Sequence, residues 1–127
     1  MGWTFMKVFA YRNLHRKCWS VKALEGPFKG RVIYHAEELS LFNCKLKVSQ
    51  AGRQRVLREQ KKNVHAGVEG ILDVHNDATR HGLLAFAVPV TYNPYKYDSF
   101  VLAGTKDPVY YADCVDLTKE AKVYAVL

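Results

Sequence analysis

The alternation of apolar and polar positions predicts a protein built mainly from β-strands. Residues 5–11, FMKVFAY, and 18–24, CWSVKAL, are rich in aromatic and β-branched side chains and flank the polar segment RNLHRK. This arrangement is typical of a β-hairpin. The turn residues of EGPFKG, at 25–30, then lead into a third predicted strand, RVIYH.

A fourth strand with one buried face is predicted at residues 39–48, LSLFNCKLKV. Regular alternation puts Leu39, Leu41 and Asn43 on one face of this strand. The opposite face carries mainly apolar residues, namely Phe42, Cys44, Leu46 and Val48.

Further strands are predicted in the second half of the chain, at residues 64–74, 83–92, 99–103, 109–117 and 121–127. Gly67 and Gly70 indicate that the first of these is weakened or bulged. Pro89 indicates an edge position or a bulge in the second, because proline cannot donate a hydrogen bond to a neighbouring strand.

One principal helix is predicted near residues 49–63. Ser49 is a suitable N-cap, the residues from 50 to 62 are mostly good helix formers, and Asn63 suits the C-terminal end. Val56 and Leu57 lie on the face predicted to pack on the sheet. The pattern as a whole predicts an α+β fold with a twisted, mostly antiparallel sheet that curls toward a barrel.

Composition narrows the class of protein. A length of 127 residues predicts a single domain spanning 1–127. No apolar run approaches the roughly 18 residues that a membrane span needs, and no export signal is recognisable, so we expect a cytoplasmic protein. Three widely spaced cysteines predict neither a disulfide framework nor a zinc site, and the absence of nucleotide-binding motifs predicts no cofactor.

Positive charge is concentrated in one window of the chain. Of the net charge of +7, the segment from Lys45 to Lys62 carries +6, with Glu59 as its one acidic residue. Within the predicted helix, Arg55, Arg58 and Lys62 share a solvent-facing ridge, and Lys61 flanks it. A local concentration of cations of this kind indicates a polyanionic partner.

The segment YNPYKYDSF, at 92–100, adds aromatic side chains to this picture. Aromatic rings beside cations form the usual platform on which the bases of single strands stack. The loop context favours exposure of Tyr95 and Lys96 in particular. An alternative is that the aromatic residues of this segment are core and sheet residues around a turn.

His65 is the best-placed candidate for general acid–base chemistry on a phosphodiester. On a strand it points the same way as Glu69, and Arg53 lies on the apolar side of the helix, where its cation needs a partner. A catalytic site would require all three side chains to converge. His75 and His81 share one loop, but their spacing matches no established metal motif, so no metal site is predicted.

The chain also resembles a known group of proteins. The resemblance runs from residue 7 to about residue 70 and is strongest at NLHRKCWSVKALEGP and AGRQRVLREQKKNVHAG. Its members are uncharacterised small proteins encoded by bacteriophages and related mobile elements. The resemblance implies a phage-associated context, with the host cytoplasm as location, and assigns no catalytic residue.

Three functions are compatible with these features. The first is binding of nucleic acid, RNA or single strands, through the cationic helix and the exposed loop residues; the contacts would come from Arg55, Arg58, Lys61, Lys62, Tyr95 and Lys96. The second is a metal-independent ribonuclease-like activity using His65, Arg53 and Glu69. The third is binding of an acidic surface on a host or virion protein.

Overall fold

The computed structural model describes residues 5–73 and 84–127. In these ranges the chain forms nine β-strands, one α-helix and one short 3₁₀ helix. The elements are β1 (Phe5–Asn13), β2 (Cys18–Ala23), β3 (Val32–Ala36), β4 (Leu39–Val48), α1 (Gln50–Glu59), β5 (Ala66–Asp73), the 3₁₀ helix (Leu84–Phe86), β6 (Val88–Thr91), β7 (Val101–Leu102), β8 (Tyr111–Leu117) and β9 (Val123–Val126).

All nine strands belong to one antiparallel sheet with the order β3-β2-β1-β5-β4-β8-β9-β6-β7. The sheet curls strongly and brings β2 close to the end of β8, although three strands lie between them. The indole N–H of Trp19 on β2 donates a hydrogen bond of 2.8 Å to the carbonyl oxygen of Thr118, just after β8. The edge strands β3 and β7 do not pair with each other. The predicted curl is therefore present, but the sheet stays open and does not form a closed barrel.

The core fills the inner, concave side of this sheet. Alternate residues of β1, Met6, Val8 and Ala10, are buried there, as expected for strands with a period of two. Central strands contribute further buried side chains, including Val21, Leu41, Val68, Val115 and Leu117. The alternate residues of the same strands point outward, so the inner and outer sides of β1, β4 and β5 differ sharply in composition.

The predicted division of β4 into two faces is wrong at its centre. Asn43 adopts a left-handed conformation with φ 50°, and the pairing with β5 shifts register between Phe42 and Lys45. This bulge adds one residue, so that Leu41 before it and Cys44 after it are both buried on the inner side. Regular alternation could not place both residues on one face.

The two glycines of β5 serve close packing and do not bulge their own strand. A Cβ atom built on Gly67 would lie 2.5 Å from Cζ of Phe9 and 2.5 Å from the carbonyl oxygen of Ala10. Gly70 lies against the bulge of β4, with the Cys44 sulfur 3.0 Å from the same hypothetical atom. The irregularity that the glycines predicted therefore belongs to the partner strand, β4.

Pro89 lies in β6, which is the second strand from the edge of the sheet and not the edge strand itself. Its carbonyl oxygen accepts a hydrogen bond from Ala103, just beyond β7. The N–H and C=O of a strand residue point to the same side of the strand. The backbone nitrogen of Pro89, which has no hydrogen to donate, therefore faces the end of the two-residue strand β7. Proline is tolerated because the short strand β7 pairs with this side of β6 only at Val90 and Thr91.

The helix begins where the sequence predicts and ends earlier. The Ser49 side chain accepts a hydrogen bond from the Gly52 N–H, which makes it the N-cap. Gln60 adopts φ 57° and donates its N–H to Val56 O, which closes the helix after Glu59. Val56 is buried and Leu57 is half-buried, as expected. Asn63 and Lys62 lie beyond the helix, contrary to the prediction.

Candidate nucleic-acid interface

The outer side of the central strands combines lysines with aromatic rings. On β1, Lys7, Phe9 and Tyr11 alternate with the buried core residues and face outward. The Phe9 ring lies over Gly67, and its centroid is 6.3 Å from that of Tyr11. A glycine is needed at position 67 because a side chain there would occupy the place of the ring.

The strand register extends this pattern across five neighbouring strands, β2, β1, β5, β4 and β8. Phe9 on β1 is paired with Lys22 on β2 and with Glu69 on β5, and Glu69 is paired in turn with Lys45 on β4. Lys45 is paired with Tyr111 on β8. Directly opposed side chains in an antiparallel sheet lie about 5 Å apart, so these residues form one row. We call the row and its neighbours the outer-face cluster: Lys7, Phe9, Tyr11, Lys22, Lys45, Lys47, Glu69 and Tyr111.

Glu69 is the one carboxylate of the outer-face cluster. Its side chain is 12% exposed and lies 2.7 Å from Nζ of Lys47 and 3.5 Å from Nζ of Lys7. The hydrogen bond from Lys47 lowers the pKa of Glu69, and the positive charges of Lys7 and Lys45 act in the same direction. The carboxylate is therefore ionised at neutral pH, and four lysines against one acid leave the cluster with a net positive charge.

Tyr111 provides the most exposed ring of the cluster, at 70%. It lies beside Lys45, which is also exposed. Asp113, two residues further along β8, is exposed as well and marks the limit of the basic area on that strand. The flat ring and the flexible cation at this position are both accessible to a ligand.

The basic residues of the helix do not form the continuous solvent-facing ridge that the sequence predicts. Arg55 forms an i,i+4 ion pair with Glu59, with 2.8 Å between Nε and Oε2. Arg58 is exposed in the last turn of the helix. Lys61 and Lys62 are exposed but follow the helix end, so they do not continue a helical ridge. The predicted ridge is reduced to Arg55 and Arg58, and one of these two charges is already partly neutralised.

Arg53 does not pair with Glu69. Its Nε donates hydrogen bonds of 3.0 Å and 2.9 Å to the carbonyl oxygens of Pro94 and Tyr97, which fixes the loop between β6 and β7. Tyr95 and Lys96 at the tip of this loop are exposed, as predicted from the loop context. The guanidinium therefore positions a loop that presents one ring and one cation.

The three candidate catalytic residues do not share a site. His65 is half-buried, with Nδ1 at 2.7 Å from the carbonyl oxygen of Asn63 and Nε2 at 2.6 Å from the hydroxyl of Tyr92. Glu69 is held by lysines, and Arg53 by backbone carbonyls. Four residues of strand separate His65 from Glu69 by roughly 13 Å. Each side chain has its own structural partner.

No group of three or more histidine, cysteine or acidic side chains is arranged to hold a metal ion within residues 5–73 and 84–127. His75 and His81 lie outside the described residues. In the same part of the chain, no helix is long and apolar enough to cross a membrane.

The sequence alone does not reveal most of the outer-face cluster. The signal was present in FMKVFAY, where Lys7, Phe9 and Tyr11 occur at every second position opposite the core residues. The pairing of β1 with β5, and of β4 with β8, brings Lys45 and Tyr111 into the same row. These pairings join strands that are distant in the sequence, and alternation within one strand does not reveal them.

Comparison with known proteins agrees with the resemblance described above. The model of the Mycobacterium phage L5 gene 82 protein family matches residues 3–125. The Gene 82 protein of Mycobacterium phage L5 is 44% identical over 119 residues, covering 89% of this chain and 90% of that relative. No solved structure matches the chain. The relationship to phage-encoded small proteins is thus confirmed, and the chain belongs to the Mycobacterium phage L5 gene 82 protein family.

Proposed function

We propose that this protein binds single-stranded nucleic acid, RNA or DNA, in the cytoplasm of the phage host. The observation that carries the proposal is the outer-face cluster, in which four lysines and three aromatic rings lie together around one carboxylate, Glu69. The cations Arg58, Lys61 and Lys62, at the end of the helix and just beyond it, are also exposed.

The two kinds of side chain suit the two parts of a nucleotide. Lysine ammonium groups bind backbone phosphates and release condensed counterions. Aromatic faces stack on bases, which contributes about 1–3 kcal/mol per base in single-strand complexes. Bases are available for stacking only when they are not paired in a duplex, so a sheet face with accessible rings favours single strands.

Glu69 supports this arrangement through its ion pairs. By holding Lys47 at 2.7 Å and Lys7 at 3.5 Å, it restricts two flexible side chains to the centre of the face. Lys45 opposes Glu69 in the sheet and is exposed, so its ammonium is accessible to a phosphate. Tyr111 lies next to Lys45 and is available for the adjoining base.

Fluorescence anisotropy with labelled oligonucleotides tests the proposal. The same sequence is offered as single-stranded RNA, single-stranded DNA and duplex DNA, each at several salt concentrations. We expect both single strands to bind more tightly than the duplex. We also expect Tyr111→Ala to weaken single-strand binding by about tenfold, because one stacked base is lost. Lys45→Gln should flatten the plot of log affinity against log salt by about 0.7.

Lys119→Gln is the matched control, since Lys119 is exposed in the turn after β8, at the opposite end of that strand from Tyr111. It removes one positive charge and should leave affinity and salt slope nearly unchanged. Equal loss in Lys119→Gln and Lys45→Gln would show that only net charge matters. Absence of binding to all three oligonucleotides at low salt would overturn the proposal and favour an acidic protein surface as the partner.

A further inference from the structure

A second feature lies on the inner side of the curled sheet, away from the outer-face cluster. A cavity of about 640 Å³ opens between the β1-β2-β5 part of the sheet and the β6-β9 part. This volume is in the range of small-molecule sites, which is about 300–1,000 Å³. Side chains around it include Arg12, Trp19, Tyr92, Phe100, Lys122 and Tyr124.

Arg12 brings a positive charge to this inner side. It follows Val8 and Ala10 in the alternation of β1, so its side chain projects toward the core and not toward the outer face. The guanidinium carbon lies 5.4 Å from the ring centroid of Trp19, its cross-strand neighbour. Its Nη2 donates a hydrogen bond of 2.8 Å to the carbonyl oxygen of Lys17. These two contacts fix the orientation of the group.

The other terminal nitrogen of Arg12 is in an unusual position. Nη1 is buried, and none of the described residues accepts a hydrogen bond from it. Buried donors of a charged group are nearly always paired, because water that is removed must be replaced by another acceptor. Guanidinium groups in such places commonly bind carboxylate or phosphate oxygens.

The charged side chains among the described residues that line the cavity are all positive. Arg12 and Lys122 are its two cationic residues, and no aspartate or glutamate is among the described residues that line it. The remaining walls are aromatic, aliphatic or backbone. An anion that entered would meet two positive charges and no opposing carboxylate, while a flat apolar group attached to it would meet aromatic rings.

We propose that this cavity binds a phosphomonoester that carries an aromatic ring, the class to which nucleoside monophosphates belong. Arg12 and Lys122 receive the phosphate, and the ring packs among Trp19, Tyr92 and Tyr124. A phosphomonoester carries a charge of about −1.5 to −2 at neutral pH, which matches two cations better than a carboxylate does. The site is independent of the proposed strand-binding face, since it uses the inner side of the sheet.

Isothermal titration calorimetry with AMP and UMP tests this site, with adenosine and inorganic phosphate as partial ligands. We expect measurable binding of at least one nucleotide, and each partial ligand should bind at least about tenfold more weakly, because it lacks one of the two recognised groups. Arg12→Gln should weaken nucleotide binding by at least about tenfold. Arg16→Gln is the matched control, since Arg16 is exposed in the β1–β2 turn and does not line the cavity.

Lys122→Gln provides a second variant that keeps Arg12 and its contact with Trp19. Because Lys122 is exposed, this variant should fold normally and bind the nucleotide several-fold more weakly. Circular dichroism and thermal unfolding establish that each variant is folded. The proposal is overturned if no nucleotide binds at millimolar concentration, or if folded Arg12→Gln or Lys122→Gln binds as tightly as the original chain.

Two sources of the ligand are distinguished by competition. If a short oligonucleotide with a 5′-phosphate displaces the bound nucleotide and the same oligonucleotide with a 5′-hydroxyl does not, the ligand is the phosphorylated end of a strand. A nucleotide that neither oligonucleotide displaces identifies a free nucleotide. Binding of the 5′-hydroxyl strand to the outer face should be unaffected by Arg12→Gln, so failure of one site is separable from failure of the other.

Discussion

The hydroxyl of Tyr92 lies 2.6 Å from Nε2 of His65, and the Nδ1 of the same imidazole lies 2.7 Å from the carbonyl oxygen of Asn63. A carbonyl can only accept, so Nδ1 carries a hydrogen, and Tyr92 donates to Nε2 when the ring is neutral. Burial raises the pKa of Tyr92, which keeps this donor protonated. The pair joins the start of β5 to the end of β6.

Replacing Tyr92 with Phe should therefore lower the stability of the fold. The ring that packs against Phe100 is retained, but Nε2 of His65 loses its donor. We expect the free energy of unfolding to fall by about 1 kcal/mol, as for other buried hydrogen bonds. Urea denaturation measures the change. Tyr95→Phe is the control, since that ring is 55% exposed, and equal midpoints for the two variants would contradict a structural role for the Tyr92 hydroxyl.

The close contact between Phe9 and Gly67 gives a second prediction. Gly67→Ala places a Cβ atom 2.5 Å from both the Phe9 ring and the Ala10 carbonyl oxygen, and the backbone cannot move away easily. We expect a loss of about 1–3 kcal/mol in the free energy of unfolding. Gly104→Ala should be close to neutral, because nothing lies within 4 Å of the added atom. A Gly67→Ala variant as stable as the original chain would show that both the Phe9 ring and the β1 backbone at Ala10 can shift freely.

The secondary structure was largely predictable because it is encoded locally. Apolar alternation located β1, β2, β4 and β9 within one or two residues, and Ser49 marked the start of the helix. The helix ends four residues before Asn63, because a left-handed Gln60 closes it, and glutamine has no special preference for that conformation. The bulge at Asn43 is not predicted, because alternation within one strand does not show where an extra residue is added, although asparagine tolerates positive φ better than most residues.

The candidate site was only partly predictable, because most of it depends on contacts between distant segments. The sequence places Lys45 in a basic window, but its neighbours Glu69 and Tyr111 come from β5 and β8. The helical wheel predicts that Arg53 needs a partner, and its partners are carbonyl oxygens more than 40 residues away in the chain. Charge along a sequence shows that cations are present, whereas strand order decides which of them act together.

Glu69 makes stability dependent on pH in a defined direction. Its pKa in the folded protein is lowered, mainly by the hydrogen bond from Lys47, whereas the unfolded chain has a value of about 4.3. The ionised carboxylate therefore stabilises the fold above about pH 4.3, and this contribution is lost as the pH falls through the lowered pKa. Urea midpoints of the original chain and of Glu69→Gln should differ at pH 7 and converge near pH 2.

Glu120→Gln is the control for that experiment, because Glu120 is exposed in the turn between β8 and β9. A surface substitution of this kind should change the free energy of unfolding by less than about 0.5 kcal/mol at either pH. A difference between the original chain and Glu69→Gln that stays constant from pH 7 to pH 2 would show that the ion pairs of Glu69 do not stabilise the fold.

The helix offers a matched pair of arginines for the last prediction. Arg55 and Arg58 are both exposed, but the Nε of Arg55 lies 2.8 Å from the Glu59 carboxylate, so a phosphate that bound Arg55 would compete with that partner. If the helix contacts the nucleic acid, Arg58→Gln should flatten the salt dependence of single-strand binding by about 0.7, and Arg55→Gln should flatten it by less. Glu59→Gln should release Arg55 and strengthen binding at low salt. Equal slopes in the original chain and in Arg58→Gln would confine the interface to the outer face of the sheet, where Lys45→Gln would still reduce the slope.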